Sequence, residues 1–167
     1  MESIREQFAK IYEQYIDKIY RFVYLRVDSQ EVAEDITSRV FLKSWGAFQA
    51  NPASIVNINA FLYQISRNMI VDHYREKART KVVPTEHAAH LADIRVDIHH
   101  AAVINAEMET VKAAIQNIKK EYQDVLIWHY LEDMSSQEIG SILEKSPGAV
   151  RVMIHRGLQA LKGVLES

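Results

Sequence analysis

Residues 135–165 read SSQEIGSILEKSPGAVRVMIHRGLQALKGVL. Ser135 stands three residues before Glu138. This is the capping-box spacing, in which the hydroxyl accepts from the third helical N–H and the carboxylate reaches back to the cap. Ile139, Ile142 and Leu143 then fall on one side of a short helix. Glu144-Lys145-Ser146 forms a tight connection. Ser146 suits the cap of a second helix and Pro147 its first position, where the missing N–H costs nothing. The second helix is expected to bury Val150, Met153, Ile154, Leu158, Leu161 and Leu165, and to turn Arg151, Val152, His155, Arg156, Gln159 and Lys162 outward. From Lys145 to Lys162 there are four basic residues and no acidic one, a net of +4. A helix, a three-residue turn and a basic helix make the helix-turn-helix geometry that lays its second helix in the major groove of DNA. Arginine pairs bidentately with guanine, and either basic residue neutralises phosphates. On spacing alone, a helical hairpin with a solvated basic face fits the same pattern.

Outward from this stretch the apolar steps stay at three and four. Met108, Val111, Ile115 and Ile118 predict one helix, and Tyr122, Val125, Leu126, His129 and Tyr130 the next. At the other end, Ile4, Phe8, Ile11, Tyr12, Tyr15, Ile19, Phe22 and Val23 predict a helix within 2–27. Val32, Ile36, Val40, Phe41, Ser44, Trp45 and Phe48 predict a second from about Glu31 to Phe48. After the turn-like Asn51-Pro52-Ala53-Ser54, a third is expected from Asn57 or Asn59 to Arg79, with Phe61, Leu62, Ile65, Met69, Ile70 and Tyr74. The period fades over 80–105. The expected fold is all-α: two small helical domains, 1–79 and 106–167, joined by a linker at 80–105, the C-terminal domain being the helix-turn-helix.

Composition narrows the function. Among 167 residues, 48% are apolar, Gly and Pro number only 5 and 3, and Cys is absent. The chain can bury a core, holds few tight turns, and has neither disulfides nor thiolate ligands. The missing cysteines fit a reducing cytoplasm. Lys+Arg minus Asp+Glu is 20 − 22, or −2, which excludes a basic wrapper of nucleic acid but not a locally basic reader. MESIREQFAK lacks an apolar signal core, and no run reaches the roughly 18 apolar residues of a membrane span, so no membrane insertion is expected. His87, His90, His99 and His100 could hold zinc in principle; a solvated linker is the better reading, and no metal or cofactor is expected. No nucleophile elbow, P-loop or acid–base pair is present, so no catalytic residue and no enzyme activity are expected. Trp45, Trp128 and His129 read as packing residues.

The third helix runs through Ala60-Phe61-Leu62-Tyr63-Gln64-Ile65-Ser66-Arg67-Asn68, with Asp72 and Arg75 beyond. From Arg67 to Lys81 the charge is five basic against two acidic, a net of +3. Aromatic and basic residues interleaved in this way can stack on unpaired bases, though a core helix with a charged outer face fits as well. Here the chain resembles a bacterial RNA polymerase sigma factor of the extracytoplasmic-function (ECF) type. Ala33-Glu34-Asp35-Ile36 with Val40-Phe41-Leu42-Lys43-Ser44-Trp45 resembles the core-polymerase-binding helix of sigma region two. The third helix resembles that region's promoter-melting helix. Ser135–Gly140 and Ser146–Arg151 with His155-Arg156 resemble the helix-turn-helix of region four.

The resemblance implies an ECF-type sigma factor that binds core RNA polymerase and directs promoter-specific transcription initiation. It assigns Glu34, Asp35, Ser38, Arg39 and Lys43 to the polymerase. Tyr63, Arg67, Asn68, Asp72 and Arg75 go to the minus-ten DNA, with a flipped base held near the loop before the third helix. Ser146, Pro147, Gly148, Arg151, Val152, His155 and Arg156 go to the minus-thirty-five duplex. Core RNA polymerase, promoter DNA and an anti-sigma factor are the implied partners. The implied location is the cytoplasm, on the nucleoid when in holoenzyme. The chain departs from the family pattern at Ser38-Arg39, usually Gln-Glu; at Glu144, usually Gly; and at Ala149 and Met153, usually Thr and Arg. Upstream recognition is therefore expected to be weaker or more apolar than usual. A polymerase-independent helix-turn-helix regulator and a helical protein-interaction module are the alternatives.

Overall fold

Short polar caps set the helix starts of the N-terminal part. The computed structural model describes residues 1–79 and 106–166, all in helices, turns and connections. They belong to two compact units, Met1–Ala101 and Ala102–Ser167. In the first unit, α1 (Ile4–Arg26) begins where the Ser3 hydroxyl accepts from the Glu6 N–H, and α2 (Gln30–Ala50) where Ser29 accepts from Val32. A single 3₁₀ turn, Pro52–Ser54, precedes α3 (Ile58–Arg79), where Asn57 Oδ1 accepts from the Ala60 N–H at 3.1 Å. All three helices match the expected spans to within a few residues.

Their apolar stripes close on one core of Ile19, Phe22, Val23, Leu25, Ile36, Val40, Leu62 and Ile70. Phe8 lies against Trp45 and Phe48 at ring-centroid distances of 5.3 and 5.7 Å. Small hydroxyls are buried within the same core. Thr37, Ser44 and Ser66 each donate to the carbonyl four residues back at 2.6–2.7 Å, so these three donors are satisfied within their own helices. The far end of α3 is tied back to α1: the Tyr74 hydroxyl donates to the Arg26 carbonyl at 2.6 Å, and Lys77 pairs with Asp28.

The second unit contains α4 (Ala106–Ile115), α5 (Lys120–Leu126), α6 (Ser136–Leu143) and α7 (Pro147–Glu166). The uniform helix expected through Tyr130 is corrected here. Residues Ile127–Leu131 form a π turn, closed by the Glu132 N–H on the Ile127 carbonyl at 3.2 Å. Met134 N–H then reaches the Trp128 carbonyl at 3.0 Å, and His129 Nδ1 lies 2.9 Å from the Met134 carbonyl, as a satisfied packing histidine should. The wider turn leaves Ile127 and Trp128 fully buried and puts Tyr130 and Leu131 outside. The last helix, α7, runs for 20 residues. His87, His90, His99 and His100 lie outside the described residues. No described helix is long and apolar enough to cross a membrane.

Candidate nucleic-acid interface

The α6–α7 corner is built from local chemistry. Ser135 Oγ accepts from the Glu138 N–H and Glu138 Oε1 accepts from the Ser135 N–H, both at 3.1 Å, which is the complete capping box. The Lys145 N–H closes the end of α6 on the Gly140 carbonyl at 3.0 Å. That closure leaves no room at Gly140, where a Cβ would stand 2.5 Å from the Lys145 carbonyl oxygen. Gly140→Ala is expected to destabilise this unit by about 3 kcal/mol, because the opposing atom is backbone and cannot rotate away. A urea titration of the full chain measures it. Glu144 takes the left-handed conformation, φ 57° and ψ 45°, which strains a residue with a Cβ. Glu144→Gly is expected to raise the unit's stability by about 1 kcal/mol in the same titration.

Ser146 Oγ then accepts from the Ala149 N–H at 3.1 Å, and Pro147 opens α7. Val150, Ile154 and Gly157 are buried; a Cβ on Gly157 would come within 3.3 Å of Leu126, so α7 lies close on α5 there. Ser146, Pro147, Gly148, Arg151, Val152, His155 and Arg156, all seven of the expected upstream residues, are exposed at the amino-terminal half of this one helix. Leu165, expected in the core, is exposed instead. With Leu158 and Leu161 it edges an apolar hollow between α4, the π turn and α7 that α4 does not fill.

In the N-terminal unit the expected residues separate by burial. On α2, Arg39 and Lys43 are exposed, Arg39 pairs with Asp35 at 4.0 Å, and Glu34 accepts from Gln30 at 3.4 Å. Ser38 does not belong with them: at 4% exposure it lies on the core side of α2 and offers a polymerase no surface. On α3, Asn68, Asp72 and Arg75 are exposed and Arg67 is half-buried. Tyr63 is corrected in the same way. It is 0% exposed, edge-on to Phe22 at 5.5 Å, so its ring cannot stack on a base. Asp35 and Arg39 of α2 meet Asp72 and Arg75 of α3 across one cleft of about 310 Å³, joined by His73, Glu76 and Arg79. His73, Glu76 and Arg79 escaped the sequence reading, although steps of three and four from Asp72 would have found the last two. Val56, in the loop before α3, was missed as well; it is 95% exposed, an apolar side chain flanked by the Pro52–Ser54 turn and the Asn57 cap.

His73 is held below its ordinary value of 6.5, chiefly by burial and also by Lys77, against the opposing pull of Asp28, Asp35 and Glu76. Between the folded and the ordinary value the unfolded chain binds more protons. The N-terminal unit is therefore expected to lose stability as pH falls from about 7 to about 5, and His73→Gln to flatten that slope. Urea midpoints across this range check it.

Two helical units, the second a helix-turn-helix with an exposed basic face, define the class of helix-turn-helix proteins. Residues 11–80 match the family described as Sigma-70 region 2, and residues 108–161 that described as Sigma-70, region 4. The chain is 30% identical over 169 residues to the ECF RNA polymerase sigma factor SigW of Bacillus subtilis, covering 95% of this chain and 88% of that protein. It is 23% identical over 160 residues to the ECF RNA polymerase sigma factor BldN of Streptomyces coelicolor, covering 96% of this chain but only 61% of BldN. The sigma factor RpoE of Bartonella quintana, solved with the anti-sigma factor NepR, shares the fold at a TM-score of 0.71 and 19% identity over 96% of this chain and 97% of that one. The chain belongs to the ECF sigma factors of the sigma-70 family.

Proposed function

We propose that this protein binds core RNA polymerase and directs promoter-specific transcription initiation. The observation that carries the reading is the exposed face of α7, where Arg151, Val152, His155 and Arg156 stand on a helix held by a capped turn, in a chain whose other unit matches region 2. In this reading α7 enters the major groove of the minus-thirty-five duplex. Glu34, Asp35, Arg39 and Lys43 meet the polymerase. Arg67, Asn68, Asp72 and Arg75 hold the minus-ten strand, and the loop carrying Val56 receives an unstacked base, whose extrusion costs a few kcal/mol. Ser38 and Tyr63 support these faces from the core. The 1–79 and 106–167 parts act as separate modules joined through 80–105. The likeness to RpoE bound to NepR supports an anti-sigma partner. The protein performs no catalysis of its own and works in the cytoplasm, on the nucleoid when in holoenzyme.

The test is co-elution with bacterial core RNA polymerase on size exclusion, followed by run-off transcription. A stable complex that starts transcripts at defined positions is expected. A folded protein that binds promoter DNA unaided but never the core polymerase overturns the reading in favour of a polymerase-independent regulator.

A further inference from the structure

Val152 is an apolar side chain in the middle of a basic reading face. It is 47% exposed, and in the first three turns of α7 no other large apolar residue is exposed. Its helical neighbours on the same face are Gly148 and Ala149 on the amino-terminal side and His155 and Arg156 on the other. Helical side chains lean toward the amino terminus, so Val152 lies over the turn that carries Gly148 and Ala149. That turn is low. Gly148 has no side chain, and the fold does not forbid one: a Cβ there would meet nothing closer than Arg151 Nη2 at 3.9 Å. The surface ahead of Val152 is thus open to close approach, at the end of the helix that reaches base edges in helix-turn-helix complexes.

We propose that Gly148, Ala149 and Val152 form an apolar window that recognises a thymine by its C5-methyl group in the upstream promoter duplex; the inference rests on α7 being the upstream recognition helix. Valine's side chain neither donates nor accepts a hydrogen bond. Set against the edge of guanine, adenine or cytosine, it strands a polar base atom away from water; set against thymine, it meets a methyl group. Its β-branched side chain holds one rotamer on a helix, so binding costs it little freedom. Arg151, His155 and Arg156 flank the window and supply the phosphate and guanine contacts that Val152 cannot.

The experiment uses the holoenzyme and a duplex that it selects from a pool randomised over the upstream element. Each thymine of the selected duplex is replaced in turn by deoxyuridine, which removes only the methyl group. One position is expected to lose about fourfold in affinity, the worth of one methyl group withdrawn from water. Val152→Ala holoenzyme is expected to bind the thymine and deoxyuridine duplexes equally. Val152→Ala that keeps the full discrimination, or a selected site in which no deoxyuridine weakens binding, overturns the window. Arg151→Ala separates the two levels. If it weakens upstream binding while deoxyuridine is silent, only the window fails; if it too is silent, α7 is not the reading helix.

Discussion

Holoenzyme carrying Arg151→Ala and Arg156→Ala together is expected to lose roughly a thousandfold in promoter affinity, about 4 kcal/mol, while still co-eluting with core polymerase. Each arginine is exposed on α7 and can make a bidentate pair with guanine or hold a phosphate, worth about 1–3 kcal/mol. The two lie more than one helical turn apart, so they reach different nucleotides and their losses add to first order. Neither side chain is part of the core, so the thermal stability of the unit is expected to change by less than about 0.5 kcal/mol. The salt dependence supplies a second readout. An arginine that neutralises a phosphate contributes roughly one to the slope of log affinity against log salt, and its removal makes the slope shallower by that amount. An arginine that reads a base edge leaves the slope unchanged when it is removed. Promoter binding measured across a salt series therefore tells which arginine reads sequence and which positions the helix. A double variant with undiminished affinity at every salt concentration removes α7 from the interface.

The corner that presents these arginines was legible because its signals are local. Ser135 with Glu138, and Ser146 with the Ala149 N–H beside Pro147, are caps whose hydrogen bonds close within four residues, and all of them form. Glu144 was legible as a departure, and it does take the strained left-handed conformation that a glycine would take freely. What was hidden depends on neighbours distant in sequence or on polar letters used inside the core. Ser38 reads as surface, yet it is buried on α2, as is Thr37, whose hydroxyl bonds its own helix; Ser44, on the expected stripe, is buried as its spacing implied. Tyr63 adjoins Leu62 on α3, and only the approach of Phe22 from α1 decides that the ring points inward. The cleft holding Asp35, Arg39, Asp72 and Arg75 arises where α2 and α3 meet, which spacing along either helix cannot show. The π turn escaped for a related reason: five residues of wider winding leave the surrounding apolar period almost intact.

That turn underlies the largest stability effect. Trp128 is fully buried in the π segment, behind Val125, Leu126 and Ile127 and with Ile139 and Val150 among the same unit's core residues. Removing a buried tryptophan side chain costs about 3–5 kcal/mol, through forfeited transfer free energy and the cavity left behind. A helical unit on the order of 60 residues holds only about 5 kcal/mol in total. Trp128→Ala is therefore expected to leave the C-terminal unit partly or wholly unfolded and the N-terminal unit folded, since the core around Phe22 and Tyr63 is untouched. The chain has two tryptophans, one in each unit, so the outcome can be read separately. In Trp128→Ala the remaining Trp45 fluorescence reports the N-terminal unit alone, and its urea midpoint is expected to match wild type. Helical circular dichroism of the same protein is expected to lose the share contributed by α4 to α7. Trp45→Phe, at a half-buried position against Phe8, is the control: it keeps an aromatic ring there, leaves Trp128 as the reporter of the C-terminal unit, and is expected to cost under about 1.5 kcal/mol. A Trp128→Ala chain with full helical signal and an unshifted C-terminal melt would mean that the helix-turn-helix is held by its caps and turns, not by the core beneath it.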